Sequence, residues 1–436
     1  MTVKYNIDEV SAGPGTQTQC FCMNASGQVS GDFFDGNATQ GAVWLGPLTS
    51  PTAIPGDSIL YGMNAAGDTV GVVNWSTGNE IAVLLRSGAL TPLNGALGVG
   101  SVGVAINDAG VLTGGIRLAG ADERAYLLGP DLTAAPTIVD PPGGVGSTYG
   151  LGINADGHVV GPWWPAARTN KGFAWAGGQF HDLGESAPTA INDAGVIAGD
   201  LFKPWPSSYQ PALYNLGSST PSWQEIPIPA GFAGAHGHGI NNSGDVVGNC
   251  WIDGTTYVNG PWSAYIYSGG VSKDLNDLIS PDSGWHLEFA SDINDAGQIV
   301  GTGTYQGRPT SFLLTPRPAV LIPPTFWEML RIIFGVIQDG GGLTTGGPIP
   351  PSGPLDERLT AALLLEQVAM AVGDQRVELE IRRQALHLAR QRLESQLAAL
   401  DMAARPWPVS VRAPVSARPA LSIWSYLRDR SGITQV

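Results

Sequence analysis

Two histidines are the side chains best spaced for chemistry in this sequence, because His236 and His238 stand two residues apart in the segment GAHGHG. Residues two apart on a β-strand point to the same side, so both imidazoles can face one space. A metal site in a protein usually needs three or four ligands. We therefore interpret the pair as polar, solvated strand residues, and we predict no metal and no cofactor.

Five tryptophans form a second candidate site. Each follows a recurring glycine by a few residues, where the pattern predicts a loop between two strands. Indole rings gathered on one rim would make a stacking platform for sugars or for the apolar side chains of a partner. The alternative is that they fill the packing between repeats. They are Trp75, Trp163, Trp164, Trp205 and Trp251. Trp44 and Trp175 occupy an apolar strand position and are predicted core residues.

Two further patterns have a simpler explanation. Ser58 lies in a segment, GDSIL, that looks superficially like the start of a GDSL-type esterase, but the same position of other repeats also holds Ser or Thr. Four turn aspartates suggest calcium, yet calcium loops space several oxygens at alternate positions, and turn propensity accounts for these residues. They are Asp108, Asp156, Asp193 and Asp295. An enzyme assembled from several repeats would leave no local motif.

These residues belong to a repeat that occurs seven times. Its Asn is followed by Gly three residues later and by a second Gly seven residues later, in every copy. Intervals between successive asparagines run from 38 to 53 residues, a period typical of propeller blades and helical arrays. The asparagines are Asn24, Asn64, Asn107, Asn154, Asn192, Asn241 and Asn294.

The chemistry of the turn favours strands. Asn can bond the backbone two residues on, and Gly three residues later can take the left-handed conformation that starts a second strand. A small residue precedes the Asn by two positions in six copies, as expected where strands crowd an axis. A third and a shorter fourth apolar segment follow. The sequence therefore predicts an all-β, seven-bladed β-propeller with four-stranded antiparallel blades over residues 1–316, closed by an N-terminal strand at 3–10.

The repeat resembles the HAF repeat, found in bacterial proteins often labelled extracellular repeat proteins. The resemblance covers residues 1–315 and rests on the Ile-Asn-x-x-Gly-x-Val-Val-Gly unit with its apolar third strand. This chain lacks the His that the family places before the small residue of that strand. The positions hold Gly41, Ile81, Arg124, Lys171, Pro211, Ser263 and Thr310. The resemblance implies a fold and no particular reaction.

Charge separates two regions of the chain. Residues 1–316 carry 9 Lys and Arg against 26 Asp and Glu, whereas residues 317–436 carry 13 against 11. An acidic propeller repels phosphate backbones, so we do not expect it to bind nucleic acid. The three cysteines and the absence of a visible signal peptide favour the cytoplasm, although the family label suggests an extracellular location. No apolar run is long enough for a transmembrane helix.

The region after residue 316 is predicted to lie outside the propeller domain. Residues 317–354 are rich in Pro and Gly and are predicted to be a linker with a short amphipathic helix at 326–338. Leucines spaced by seven predict a helical hairpin or coiled coil at 355–404. A basic tail at 405–436 is a candidate docking segment. Its candidate contact residues are Arg405, Trp407, Arg412, Arg418, Trp424, Tyr426, Arg428 and Arg430.

The leading functional hypothesis is a non-enzymatic protein-interaction or scaffold protein. Its propeller would be the binding face, and 355–404 would bind a protein partner or a second copy. The alternative is a glycan-binding, lectin-like or glycan-cleaving propeller that uses the rim tryptophans.

Overall fold

The protein, described here from a computed structural model, forms seven antiparallel sheets around one axis. The structure describes residues 5–317 except 48, 119–121, 166–169, 204–208 and 253–260. We number the blades by their asparagine, from Asn24 in blade 1 to Asn294 in blade 7. Each blade has four strands, and the inner strand of blade 4 is divided in two. The prediction of a seven-bladed propeller is confirmed.

The strands follow in chain order, blade by blade. After β1 (Tyr5–Val10), blade 1 has β2 (Gln17–Met23), β3 (Val29–Phe34), β4 (Thr39–Trp44) and β5 (Thr52–Ala53); blade 2 has β6 (Ser58–Met63), β7 (Thr69–Val73), β8 (Ile81–Arg86) and β9 (Ala89–Pro92). Blade 3 has β10 (Ser101–Ile106), β11 (Leu112–Arg117), β12 (Glu123–Leu128) and β13 (Thr137–Val139); blade 4 has β14 (Ser147–Thr148), β15 (Gly152–Ile153), β16 (Val159–Trp164), β17 (Lys171–Ala176) and β18 (Gln179–Asp182).

Blade 5 has β19 (Ser186–Ile191), β20 (Val196–Phe202), β21 (Tyr209–Asn215) and β22 (Trp223–Glu225); blade 6 has β23 (Gly234–Ile240), β24 (Val246–Trp251), β25 (Trp262–Ser268) and β26 (Val271–Asp274). Blade 7 has β27 (Trp285–Ile293), β28 (Ile299–Tyr305) and β29 (Arg308–Pro316). Within the residues that the structure describes, the connections contain one short α-helix, Asn94–Leu97, and three 3-10 turns, Pro142–Gly144, Leu275–Leu278 and Pro281–Ser283.

The N-terminal strand closes the ring, as predicted. Strand β1 pairs antiparallel with β29, from Tyr5 opposite Pro316 to Val10 opposite Ser311. Val10 is fully buried and Tyr5 nearly so. The first strand of the chain is therefore the outer strand of blade 7, and this pairing covers an edge that an open array would expose.

The repeated asparagine holds each turn and also joins each blade to the next. Its Oδ1 accepts the backbone N–H four residues later at 2.9–3.0 Å in all seven blades. The Gly three residues after it has a φ between 73° and 82°, which is favourable only for glycine. Its Nδ2 donates to the backbone carbonyl of the next blade's asparagine at 3.0–3.4 Å. These seven inter-blade bonds form a closed circle.

The second glycine of the repeat is required by the inner strand beside it. A Cβ added to Gly161 would lie 1.9 Å from the carbonyl oxygen of Tyr149, and one added to Gly248 would lie 1.8 Å from that of His236. All seven glycines at this position meet the equivalent carbonyl within 2.5 Å. No side chain fits at such a distance. Packing against the inner strand therefore explains why all seven copies of the repeat have glycine at this position.

Small residues two positions before the asparagine let adjacent inner strands approach each other. A Cβ on Gly62 would come within 2.4 Å of the Val104 carbonyl oxygen of the next blade. Asp292, the one larger residue at this position, uses its carboxylate to accept the backbone N–H of Met23 at 3.0 Å, across the junction between blades 7 and 1.

Apolar side chains between neighbouring blades form the core. Trp44 is fully buried there, as predicted, whereas Trp175 is only partly buried at the edge of the cluster between blades 3 and 4. The predicted linker, the helix at 326–338, the helical region 355–404 and the tail lie outside the described residues. Among the described residues, no helix is long and apolar enough to cross a membrane.

Candidate ligand-binding site

The inner strands carry a β-bulge three residues before the asparagine. In blades 1, 2, 3, 5, 6 and 7 the pairing with the second strand skips one residue at this point. A bulge redirects the side chain of the extra residue, and these strands surround the axis. The redirected side chains are Phe21, Tyr61, Val104, Thr189, His238 and Ser291.

One side of the axis is aromatic and apolar. Tyr61, Val104 and Leu151, from blades 2, 3 and 4, belong to one buried cluster, against which Phe21, Trp75 and Trp164 pack while remaining partly exposed. The rings of Phe21 and Tyr61 have centroids 5.4 Å apart. Residues of four successive blades meet here because each reaches towards the axis. Two of the five candidate tryptophans are thus brought into one surface.

The other side carries a carboxylate–imidazole pair. Oδ2 of Asp200 in blade 5 lies 2.5 Å from Nδ1 of His236 in blade 6, and Oδ1 accepts the backbone N–H of Gly237 at 3.0 Å. The ring of His236 lies 4.3 Å from that of Tyr209 and 5.1 Å from that of Trp251, measured between centroids. This pair ties two blades together inside an aromatic enclosure.

A second polar pair lies beside the first. Nε2 of His238 is 2.7 Å from Oδ1 of Asn249, so this nitrogen carries the proton and donates it to the amide oxygen. Burial and the neighbouring His236 lower the pKa of His238 to about 4, which leaves its imidazole neutral at pH 7. The amide nitrogen Nδ2 of Asn249 is buried and has no hydrogen-bond partner.

A third polar group stands in blade 1. The residue Asp32 is only 7% exposed, and its carboxyl receives neither a hydrogen bond nor an ion pair from the described part of the chain. Burial raises its pKa to about 8. The group is therefore an uncharged carboxylic acid at neutral pH, with polar atoms that protein side chains do not satisfy.

We call this group of residues around the axis the axial mouth. They lie on the inner strands and on or just after the second strands, apart from Tyr209, which begins the third strand β21. Its members are Phe21, Asp32, Tyr61, Trp75, Trp164, Asp200, Tyr209, His236, His238, Asn249 and Trp251.

The predicted loop position was wrong for three tryptophans. Trp163 and Trp164 lie in β16 and Trp251 in β24, because the second strand continues past its glycine. Trp163 and Trp251 pair with the third strand, and Trp164 pairs with Ser147 of β14. Trp163 is buried between blades, with its ring against Phe180 and its Nε1 donating to the Val145 carbonyl oxygen. Trp163 therefore packs between blades and does not line a ligand-binding surface.

Trp205 and the candidate tail residues lie outside the described residues. The two histidines are adjacent as predicted, with ring centroids 6.2 Å apart, but the interpretation as solvated side chains was wrong. His236 is buried, and both rings have protein hydrogen-bond partners.

Ser58 has a structural role. Its Oγ is buried, accepts the backbone N–H of Gly41 from the preceding blade at 2.9 Å and donates to the Ile54 carbonyl oxygen. Ser101 and Thr148 accept the equivalent N–H groups in the next two blades. The repeated hydroxyl is a link between blades, as the sequence indicated.

The turn aspartates also link blades. Oδ1 of Asp108, Asp193 and Asp295 accepts a backbone N–H from the turn of the preceding blade at 2.8–2.9 Å. In the part of the chain that the structure describes, no group of three or more His, Cys, Asp or Glu side chains is arranged to hold a metal ion.

Sequence reasoning missed Asp32, Asp200 and Asn249. All three occupy one repeat position, eight residues after the asparagine, where blade 2 has Val72. Aligning the seven repeats on their asparagines would have singled out this position, because polar residues replace an apolar one there.

Comparisons with known proteins give similarities of overall fold. No family model and no curated protein matches the chain. The β-propeller domain of the Trilobed protease from Pyrococcus furiosus is 10% identical with a TM-score of 0.48, over 70% of this chain and 94% of that one. Acylaminoacyl peptidase from Pyrococcus horikoshii is 14% identical with a TM-score of 0.36, over 64% of this chain and 48% of that one. Aleuria aurantia lectin, solved with alpha-methyl-L-fucoside, is 13% identical with a TM-score of 0.31, over 62% of this chain and 94% of that one.

Proposed function

We propose that this protein is a non-enzymatic binding protein and that the axial mouth is its binding face. The observation that carries the proposal is a set of polar groups on blades 1, 2 and 6 that the described residues leave without hydrogen-bond partners. Asn249 Nδ2 and Trp75 Nε1 are buried and have no hydrogen-bond partner among the described residues, and the largely buried Asp32 forms no side-chain hydrogen bond with them either. Most buried polar groups in proteins are hydrogen-bonded, so a ligand that supplies the missing partners would stabilise this surface.

A carbohydrate is the ligand class that the aromatic side favours. Trp75 and Trp164 are partly exposed and pack against the same cluster. The C–H face of a sugar ring can stack on indole while its hydroxyls bond polar groups nearby. The polar pairs of blades 5 and 6 lie across the axis from blade 2, where they can serve the hydroxyl edge of such a ring.

A glycan array probed with the full chain tests this function. We expect binding to a defined set of glycans and a loss of roughly tenfold or more in the Trp164→Ala variant, since hot-spot tryptophans contribute 2 kcal/mol or more at binding sites. Trp223→Ala is the matched control, because Trp223 is also partly exposed but lies on the outer strand of blade 5. Absence of glycan binding, or equal loss in both variants, would count against a carbohydrate at the mouth.

The scaffold role of the C-terminal region is a second proposal. Leucines at 379, 386, 393 and 400 have heptad spacing, which supports self-association or binding of a partner helix. We expect the full chain to be oligomeric by light scattering and Leu386→Pro to reduce the assembly state, because proline breaks a helix. A monomeric parent would remove self-association. Membership of the HAF-repeat group also remains a proposal, supported by the repeat itself.

A further inference from the structure

The junction of blades 1 and 2 has the carboxyl group, but not the imidazole, of the pair that joins blades 5 and 6. Asp200 stands eight residues after Asn192, and its partner His236 stands five residues before Asn241. The same positions at the junction of blades 1 and 2 hold Asp32 and Ile59. The carboxyl is present in both junctions, but the second junction offers an alkyl group where the first offers an imidazole.

Contacts around Asp32 show that its strand faces blade 2 in the same way. Gly41, directly opposite Asp32 in the sheet, lies so close to blade 2 that a Cβ there would be 3.2 Å from the backbone nitrogen of Leu60. Ser30, two residues before Asp32, donates its hydroxyl to the Tyr61 carbonyl oxygen at 3.1 Å. Asp32 therefore lies against the inner strand of blade 2, and Ile59 cannot hydrogen-bond to it.

Aromatic rings belong to the cluster of blade 2 residues on the side that Asp32 faces. Ile59 belongs to the same cluster as Tyr61, and Trp75 and Phe21 pack against that cluster. Ring faces attract cations through their quadrupole, most strongly in a desolvated place. A carboxyl group with aromatic neighbours is a combination that suits an organic cation better than an anion or an apolar group.

We infer that the junction of blades 1 and 2 is a subsite for an organic cation, a guanidinium or ammonium group, with Asp32 as its counter-ion and the rings of Tyr61 and Trp75 beside it. The inference rests on the proposed function, because it names the charge that one side of the axial mouth selects. Such a group can come from an amino sugar or from an arginine or lysine side chain.

The electrostatics give this subsite a measurable signature. Without a cation, burial keeps the Asp32 carboxyl protonated, and its pKa of about 8 reflects that burial alone. An incoming cation favours the ionised form. Binding at pH 7 should therefore release about one proton per ligand to the buffer, which a merely packed aspartic acid would not do.

Isothermal titration of the full chain tests the inference with a matched pair of sugars. The tetramer of glucosamine carries ammonium groups, and its N-acetylated counterpart is neutral. Agmatine supplies a guanidinium group without a sugar. We expect agmatine, which stays fully cationic at pH 7, to bind with proton release, seen as a heat that depends on the buffer's ionisation enthalpy; the glucosamine tetramer, whose own amines titrate near pH 7, tests binding alone. A sugar source predicts a preference for the tetramer, and a side-chain source predicts binding of agmatine.

Two variants and a control complete the experiment. Asp32→Asn should weaken cation binding by about tenfold or more, since a charge-assisted hydrogen bond is lost, and should abolish proton release. Ile59→His should also block the subsite by completing the pair as in blades 5 and 6. Asp35→Asn, the same change at a fully exposed site nearby, should bind as the parent does. Thermal melting confirms that each variant is folded.

Each result decides between the proposals. Absence of cation binding, binding without proton release, or an unaffected Asp32→Asn variant would overturn the cation subsite. If the neutral tetramer binds while cations do not, the binding function stands and only the subsite is wrong. If no probe binds here and the glycan array is also negative, the carbohydrate function fails together with the subsite.

Discussion

Nδ2 of Asn294 donates a hydrogen bond to the backbone carbonyl of Asn24 at 3.1 Å, although 270 residues separate them in the sequence. This bond completes the circle of seven that runs through every blade. Each asparagine therefore contributes to its own turn and to the seam with the next blade. Closure of the ring depends on side-chain amides as well as on strand β1.

The amide nitrogen of the asparagine is predicted to matter as much as its oxygen. Asn192→Asp keeps the oxygen that accepts Val196 N–H but removes the donor to the Asn241 carbonyl. We expect a loss of about 1–3 kcal/mol in the free energy of unfolding at pH 7, because a buried hydrogen bond is replaced by repulsion. Urea denaturation measures it. Asn215→Asp is the control, since exposed Asn215 uses only its oxygen, and equal stability of the two variants would contradict the inter-blade role.

The second glycine of the repeat should tolerate no side chain. In Gly161→Ala the new Cβ would lie 1.9 Å from the Tyr149 carbonyl oxygen, so we expect a destabilisation of at least about 3 kcal/mol. Gly129→Ala, where nothing lies within 4 Å, should change stability by less than about 0.5 kcal/mol. Thermal denaturation of both variants is the measurement. Similar melting temperatures of the two variants would mean that the inner strand leaves room for a methyl group at position 161.

Closure by the N-terminal strand predicts that one end of the chain controls the whole propeller. Val10→Asp places a charge in the fully buried position opposite Ser311, and we expect a large drop in melting temperature with aggregation as the edge of β29 opens. Asn6→Asp, at an exposed site of the same strand, should melt like the parent. Deletion of residues 1–10 should reproduce the effect of Val10→Asp. Calorimetry with light scattering would detect both, and a stable deletion variant would argue for closure by other means.

The sequence predicted the fold because turn chemistry is local. Between apolar segments, an Asn and a Gly three residues apart favour a hairpin turn, and the seven copies of this pattern indicate the number of blades. Even the hydroxyl of Ser58 could be assigned to the repeat, because equivalent positions hold the same chemistry. These features need no knowledge of which blade lies next to which.

The mouth could not be predicted in the same way, because it depends on register between strands and between blades. Asp200 and His236 are 36 residues apart and meet only because blades 5 and 6 are adjacent. The bulge at His238 shifts the alternation that strand periodicity assumes. Distance from a glycine grouped Trp163 with Trp164, yet one lies between blades and the other at the axis.

Burial of Asp32 predicts a particular dependence of stability on pH. Its pKa rises from 3.8 to about 8 on folding, so between these values the folded state holds a proton that the unfolded state has lost. Stability should therefore fall as pH rises through this window, by up to about 1.4 kcal/mol per pH unit. His238, with a folded pKa of about 4, acts in the opposite sense between about 4 and 6.5, but identically in parent and variant.

The Asp32→Asn variant should lack the loss of stability with rising pH that comes from the Asp32 proton. The difference in the free energy of unfolding between variant and parent should grow in the variant's favour from pH 5 to pH 8, measured by urea denaturation at each pH. A constant difference would mean that the carboxyl is ionised in the folded protein.

The most direct test of a ligand-ready axial mouth is the titration of the Asp32 side-chain carboxyl by carbon-13 NMR, with the resonance assigned from its absence in Asp32→Asn. We expect a midpoint near pH 8 in the ligand-free protein, as burial without a partner requires. A midpoint near the ordinary aspartate value of about 4 would show that this carboxyl is already solvated or paired, and would contradict the proposal that it awaits a ligand.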